Sequence, residues 1–134
     1  MDVIFYFSIY ALISLFYPLS VYNFAHVSGI SYMINHLITV LIPIFGAIAF
    51  DWQPDWMSFR RAAAVFTVYL PLAMLANRLT GGNYFYLTQR PFLNGMSTWL
   101  YNCLAYLVTI VGFAIVTLFI RWACEKYSKT KIPY

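Results

Sequence analysis

At 134 residues the chain has room for one domain. It is 63% hydrophobic and 9% charged, where ordinary soluble domains carry about 25% charged residues. A mean hydropathy of +0.73 at this length excludes a soluble globule, which could not hide so much apolar surface from water. The net charge of +4 gathers beside apolar runs, and so reads as a membrane anchor with no nucleic-acid partner.

Four apolar runs, at about 3–22, 30–50, 59–78 and 99–122, each approach the roughly 20 residues a helix needs to cross a hydrocarbon core. They lack the period-2 alternation of a membrane barrel, and in lipid only helices or closed barrels pair all their backbone groups. The predicted fold is therefore all-α: a polytopic membrane protein, a bundle of about four transmembrane helices in a single domain over 1–134. The first run opens Met1-Asp2 without a basic segment, and no small-residue cleavage site precedes Asn23. It reads as a permanent helix, not a signal peptide, with Pro18 near its outer end. A short loop over 23–29 holds an interfacial His26.

The second run carries Asn35 and His36 within two turns of its outer end, then Pro43 and Gly46. An inner loop follows, with Trp52 and Trp56 suited to the headgroup belt. In the third run Arg60 and Arg61 are placed to snorkel, and Pro71 removes a backbone donor and predicts a kink. The outer loop from Thr80 to Thr98 is too long and aromatic for a simple turn. With Tyr84, Phe85, Tyr86, Phe92 and Trp99 around it, it is expected to lie in the interface or fold back over the bundle. On the last run Asn102, Tyr106, Thr109, Phe113 and Thr117 fall on one helical face, which should point into the bundle or at a partner.

With four helices, the termini share a side with the loop around 51–61. That side carries Arg60, Arg61, Arg121, Lys126, Lys129 and Lys131, against Arg78 and Arg90 opposite. The excess places both termini in the cytoplasm of a multi-pass cell-membrane protein, and the terminal lysines can rest on anionic headgroups. Cys103 and Cys124 lie about 31 Å apart on one helix, too far for a disulfide, and read as inert thiols.

His36 is the leading candidate catalytic residue. An imidazole within a membrane helix is costly and is retained for a proton, a ligand or a hydrogen bond. Tyr32, His36, Thr39 and Pro43 share its face. The plainer account is a neutral histidine bonded across helices. The segment 77–91, NRLTGGNYFYLTQRP, supplies the candidate lipid- or substrate-binding residues Asn77, Asn83, Tyr84, Tyr86 and Arg90. They are expected at the membrane depth of His36, with Arg90 reaching for a phosphate or carboxylate. Here the plainer account is a capped helix end, with Gly81-Gly82 allowing positive φ, followed by a hydrogen-bonded loop and a snorkelling arginine. No metal or cofactor motif is present, and no HExxH, CxxC, P-loop or GxSxG pattern. No carboxylate lies inside a span, which argues against a carboxylate-driven proton-coupled transporter.

The spacing of Asn77, Gly81, Asn83, Tyr84, Tyr86, Leu87 and Pro91 resembles the signature of the YwaF-like integral membrane proteins. The likeness extends to a membrane histidine comparable to His36 and a tryptophan opening the last helix, comparable to Trp99, and it covers about 30–122. YwaF-like proteins are longer, and this chain resembles their C-terminal portion. Their distant relatives include membrane lipid hydrolases and acyltransferases that pair a Thr or Cys nucleophile with a histidine. The resemblance implies that His36 acts as base or acid, with the nucleophile coming from a partner chain or from Thr39. The expected function is thus a small integral membrane protein that handles a lipid or similar amphiphile, or a subunit of a larger membrane complex. The alternatives are a membrane-embedded acyltransferase or lipid hydrolase using His36, and a transporter or channel component. Expected partners are membrane lipids and either another membrane protein or further copies of the chain.

Overall fold

The computed structural model describes residues 1–16, 26–90 and 92–128, all of whose regular structure is helical. The order is α1 (Asp2–Phe16), α2 (Val27–Phe50), α3 (Trp56–Thr80), a 3-10 turn (Tyr84–Tyr86) and α4 (Thr98–Ser128). Among the described residues three helices are long and apolar enough to cross a membrane: Val27–Phe50, Trp56–Thr80 and Thr98–Lys126. The described part of α1 has 15 residues, about 22 Å of helix. The rest of the run expected over 3–22, with Pro18, lies outside the described residues, as do Asn23, Pro91, Lys129 and Lys131.

Two helix starts depart from the sequence reading for local reasons. Val27, Ser28 and Gly29 belong to α2, not to a loop, because His26 caps the helix: its Nδ1 accepts from the Ser28 backbone N–H at 3.3 Å and meets the Ser28 hydroxyl at 2.8 Å. Helix α3 begins at Trp56 because Asp55 caps it, accepting from the Ser58 N–H and the Ser58 hydroxyl at 2.7 Å each. The Ser58 backbone bond, then the Ser58 hydroxyl, hold the Asp55 carboxyl below its ordinary value. At the other end Gly81 closes α3 at φ 68°, the left-handed position glycine fills without a Cβ penalty. Helix α4 runs on to Ser128, so Arg121 and Lys126 sit on the helix. Pro43 and Pro71 lie inside continuous helices, each four residues after a threonine, Thr39 or Thr67, whose hydroxyl donates one turn back. Such threonine bonds are one of the devices by which a membrane helix tolerates proline.

The contacts of the chain, read from sequence as one domain over 1–134, group in two compact units, Met1–Pro54 and Asp55–Tyr134. In the first, α1 packs on α2. Tyr6 is fully buried, and Phe5 leans on Trp52, whose indole N–H donates to the Asp2 carboxylate at 3.2 Å. Gly46 leaves room for Met1, whose side chain a Cβ at that position would strike.

In the second unit α3 turns Ser58, Ala62, Phe66, Leu70, Ala73 and Asn77 inward, the i, i+4 spacing of one helical face. Against it α4 sets Asn102, Thr109, Phe113 and Thr117, all buried, which is the polar face expected to turn inward. Phe66 meets Phe113 edge-on and lies parallel to Tyr106, each with ring centroids 6.0 Å apart. The Tyr106 hydroxyl donates to Thr67, whose own proton goes to the Ala63 carbonyl.

Candidate functional site

In the first unit His36 stands on the partly shielded face of α2, together with Tyr32 and Thr39. Its Nδ1 lies 2.8 Å from the Tyr32 carbonyl. A carbonyl only accepts, so Nδ1 carries the hydrogen and, in the neutral ring, Nε2 keeps its lone pair. The Tyr32 ring lies against the imidazole at 4.0 Å between centroids. Tyr32 is itself held, donating its hydroxyl to the Ser14 carbonyl at 2.8 Å while the Ser14 hydroxyl approaches the same oxygen. Among the described residues Nε2 has no hydrogen-bond partner. Thr39 donates to the Asn35 carbonyl at 2.7 Å, so its proton is committed along the helix and not to His36.

In the second unit the loop after α3 is closed by its own amides. Asn77, buried on α3, accepts the Tyr84 N–H at 2.6 Å and donates to the Tyr84 carbonyl at 2.9 Å. Both polar groups of one peptide residue are thus answered by one side chain. Asn83 repeats the device: its Oδ1 accepts from the N–H groups of Thr88 and Gln89, and its Nδ2 donates to the Gln89 carbonyl at 3.0 Å. These bonds hold an unusual backbone, in which Phe85 and Tyr86 adopt φ of 59° and 55°. For bulky residues such angles persist only where the surroundings over-determine them.

Phe85 explains what the bend achieves. Its ring lies 5.2 Å from that of Phe66 and 6.1 Å from Tyr69. Phe66 precedes the end of α3 at Thr80 by 14 residues, about 21 Å of helix. The loop therefore folds back along α3 toward the middle of the span, one of the two courses the sequence predicts. Non-helical backbone is tolerated at such depth only when protein or a wet cavity answers its polar groups; here Asn77 does so for Tyr84, while Asn83 ties the exposed part of the loop.

Arg90 closes the far side of the loop. Its guanidinium donates to the Met96 carbonyl at 2.7 Å and the Thr98 hydroxyl at 2.9 Å, and stacks 4.5 Å above the Tyr101 ring. Tyr86 offers its carbonyl to the Tyr101 hydroxyl at 3.4 Å, while the Tyr84 side chain is exposed. Asn77, Asn83, Tyr84, Tyr86 and Arg90 thus share one loop, and His36 belongs to the other unit. The sequence gives little sign of Phe85 as the loop's anchor or of Met96, Thr98 and Tyr101 as partners of Arg90. Aromatic residues are common throughout this chain, and backbone acceptors leave no mark in composition. Among the described residues no group of three His, Cys, Asp or Glu could hold a metal ion.

The profile of the TMEM164 family matches residues 1–122. No curated protein and no solved structure matches the chain. The chain belongs to the TMEM164 family and is a membrane protein.

Proposed function

We propose that this TMEM164-family chain handles a lipid or similar amphiphile inside the membrane, alone or as a subunit of a larger membrane complex. One observation carries the reading: in a helix of membrane-crossing length, His36 presents an oriented imidazole whose Nε2 is unpaired among the described residues. An unpaired imidazole nitrogen in such a helix has a cost that function must offset. If the chain catalyses, the reaction is acyl transfer or ester hydrolysis with His36 as general base. The resemblance to YwaF-like proteins, and through them to membrane lipid hydrolases and acyltransferases, supports that form. Because the Thr39 hydroxyl is turned to Asn35, the nucleophile in this reading comes from a partner or from the substrate. Within the second unit Asn77, Asn83, Tyr86 and Arg90 act by shaping the loop, and Tyr84 is the exposed side chain it offers to an apolar partner.

A non-catalytic subunit is the second reading. The commitment of Asn77 and Asn83 to backbone groups favours it, because amides bonded to the backbone shape a surface and are not offered to a ligand.

Gentle extraction of the full chain into nanodiscs, followed by native mass spectrometry, separates the two. A single lipid class that co-purifies, and falls about five- to tenfold in His36→Ala for the loss of one hydrogen-bonding group, supports amphiphile handling at His36. Full retention of that class in His36→Ala removes the role from His36. Recovery of a defined protein partner, lost in His36→Ala, supports the subunit reading.

A further inference from the structure

We infer that Tyr32 is a positioning residue that sets which nitrogen of His36 faces a partner: Nδ1 as the fixed N–H donor, Nε2 as the free proton acceptor. The inference rests on the acid–base reading of His36.

Four contacts build this arrangement from the helix outward. The Tyr32 carbonyl, one turn before His36, can only accept, so it selects the tautomer with hydrogen on Nδ1. Turning the imidazole over about its χ2 bond would bring a carbon to that carbonyl and forfeit the bond. The Tyr32 ring, 4.0 Å away and tilted by 35°, covers one face of the imidazole and opposes that turn. The ring itself cannot swing aside without breaking its hydroxyl bond to the Ser14 carbonyl and the contact with the Ser14 hydroxyl. The chain of constraint thus runs from α1, through Ser14 and Tyr32, to the plane of His36. It takes the form of a group that orients a general base: the nitrogen away from the reacting atoms is held, and the other has no hydrogen-bond partner among the described residues.

The test uses the full chain in phospholipid nanodiscs, with ring-¹⁵N histidine in a His26→Asn background. Asparagine is also a good helix cap, so α2 keeps its start and His36 is the one signal left. The expected spectrum shows Nδ1 protonated and Nε2 bare. Tyr32→Leu removes both the covering ring and the anchor on Ser14. The ratio of the two tautomers should then fall about fivefold, the equilibrium worth of one ordinary hydrogen bond. Tyr32→Phe keeps the ring but frees it from Ser14, and should lie between.

Hydrogen on Nε2 in the unsubstituted protein overturns the inference. So does an unchanged tautomer ratio in Tyr32→Leu. If Tyr32→Leu loses its helical signal, Tyr32→Phe decides by the same ratio. Turnover is not part of this readout. Loss of the co-purifying lipid in His36→Ala with an unmoved tautomer in the Tyr32 variants would sink the positioning role and leave the reading of His36 standing. Full retention of that lipid in His36→Ala would remove the functional reading, and the positioning role with it, whatever the tautomer does.

Discussion

Asn77 shows how one amide answers both polar groups of a backbone residue. Its side chain is the same size as a peptide unit and carries the same donor and acceptor, so it pairs with Tyr84 as a neighbouring strand would. Replacing it by leucine leaves one N–H and one C=O of Tyr84 unanswered at a part-buried site, where each orphan costs about 1–2 kcal/mol, the lower part of the usual range. Asn77→Leu should therefore lower stability by roughly 2–4 kcal/mol. Asn83 makes three comparable bonds, but these bonds are solvent-exposed, and water can replace what Asn83→Ala removes. That variant should lose no more than about 1 kcal/mol. Denaturant titration in a single detergent orders the two; equal losses would mean that Asn77 is not the staple the geometry describes. The sequence marks both asparagines as equals around Gly81-Gly82. Their inequality comes from burial, which depends on the helix face at position 77 and on how the following chain folds back.

At the scale of elements, the return of the loop along α3 decides how the second unit is filled. The polar face of α4 was legible because it is a short-range periodicity, and the close of α3 because Gly81 marks it; the starts of α2 and α3 were not, since the caps His26 and Asp55 set them. Phe85 was not, since nothing local requires an aromatic residue at φ 59°; its place is decided by Phe66, distant in sequence. This conflict between side chain and backbone yields an ordering that contact loss alone would not predict. Phe85→Ala forfeits the ring and keeps a Cβ in the left-handed region. Phe85→Gly forfeits the same ring but sheds roughly 1–2 kcal/mol of backbone strain. Both should destabilise the unit, Ala by roughly 1–3 kcal/mol, less than the roughly 3–5 of a fully buried phenylalanine, and Gly by less than Ala. Unfolding free energies in one detergent test the order. A glycine variant as weak as the alanine one would show that the bend holds no strain.

The whole molecule is legible in its class and less so in its joints. Apolar run lengths give the helices, because bilayer thickness imposes them, whereas the grouping of contacts on either side of Pro54 and Asp55 depends on tertiary packing that composition does not record. Orientation can still be argued within the second unit. The pairs Phe66–Phe113, Thr67–Tyr106 and Met74–Asn102 run in opposite numerical order, so α3 and α4 are antiparallel. The start of α3, with Arg60 and Arg61, therefore shares one end with Arg121 and Lys126 on α4. Arg78 and the inward-committed Arg90 mark the other end. Cationic residues accumulate on the cytoplasmic side of membrane helices, so the four-cation end should face the cytoplasm and the loop around Gly95 the outside. Gly95 is a suitable reporter, since a side chain added there meets nothing within 4 Å. With Cys103 and Cys124 changed to serine, Gly95→Cys in sealed right-side-out vesicles should react with an impermeant maleimide. Glu125→Cys, on an exposed position of α4, should react only after the membrane is opened. The reverse pattern would invert the protein, and it would carry the loop held by Asn77, Asn83 and Arg90 to the cytoplasmic leaflet, where a different set of lipids would reach it.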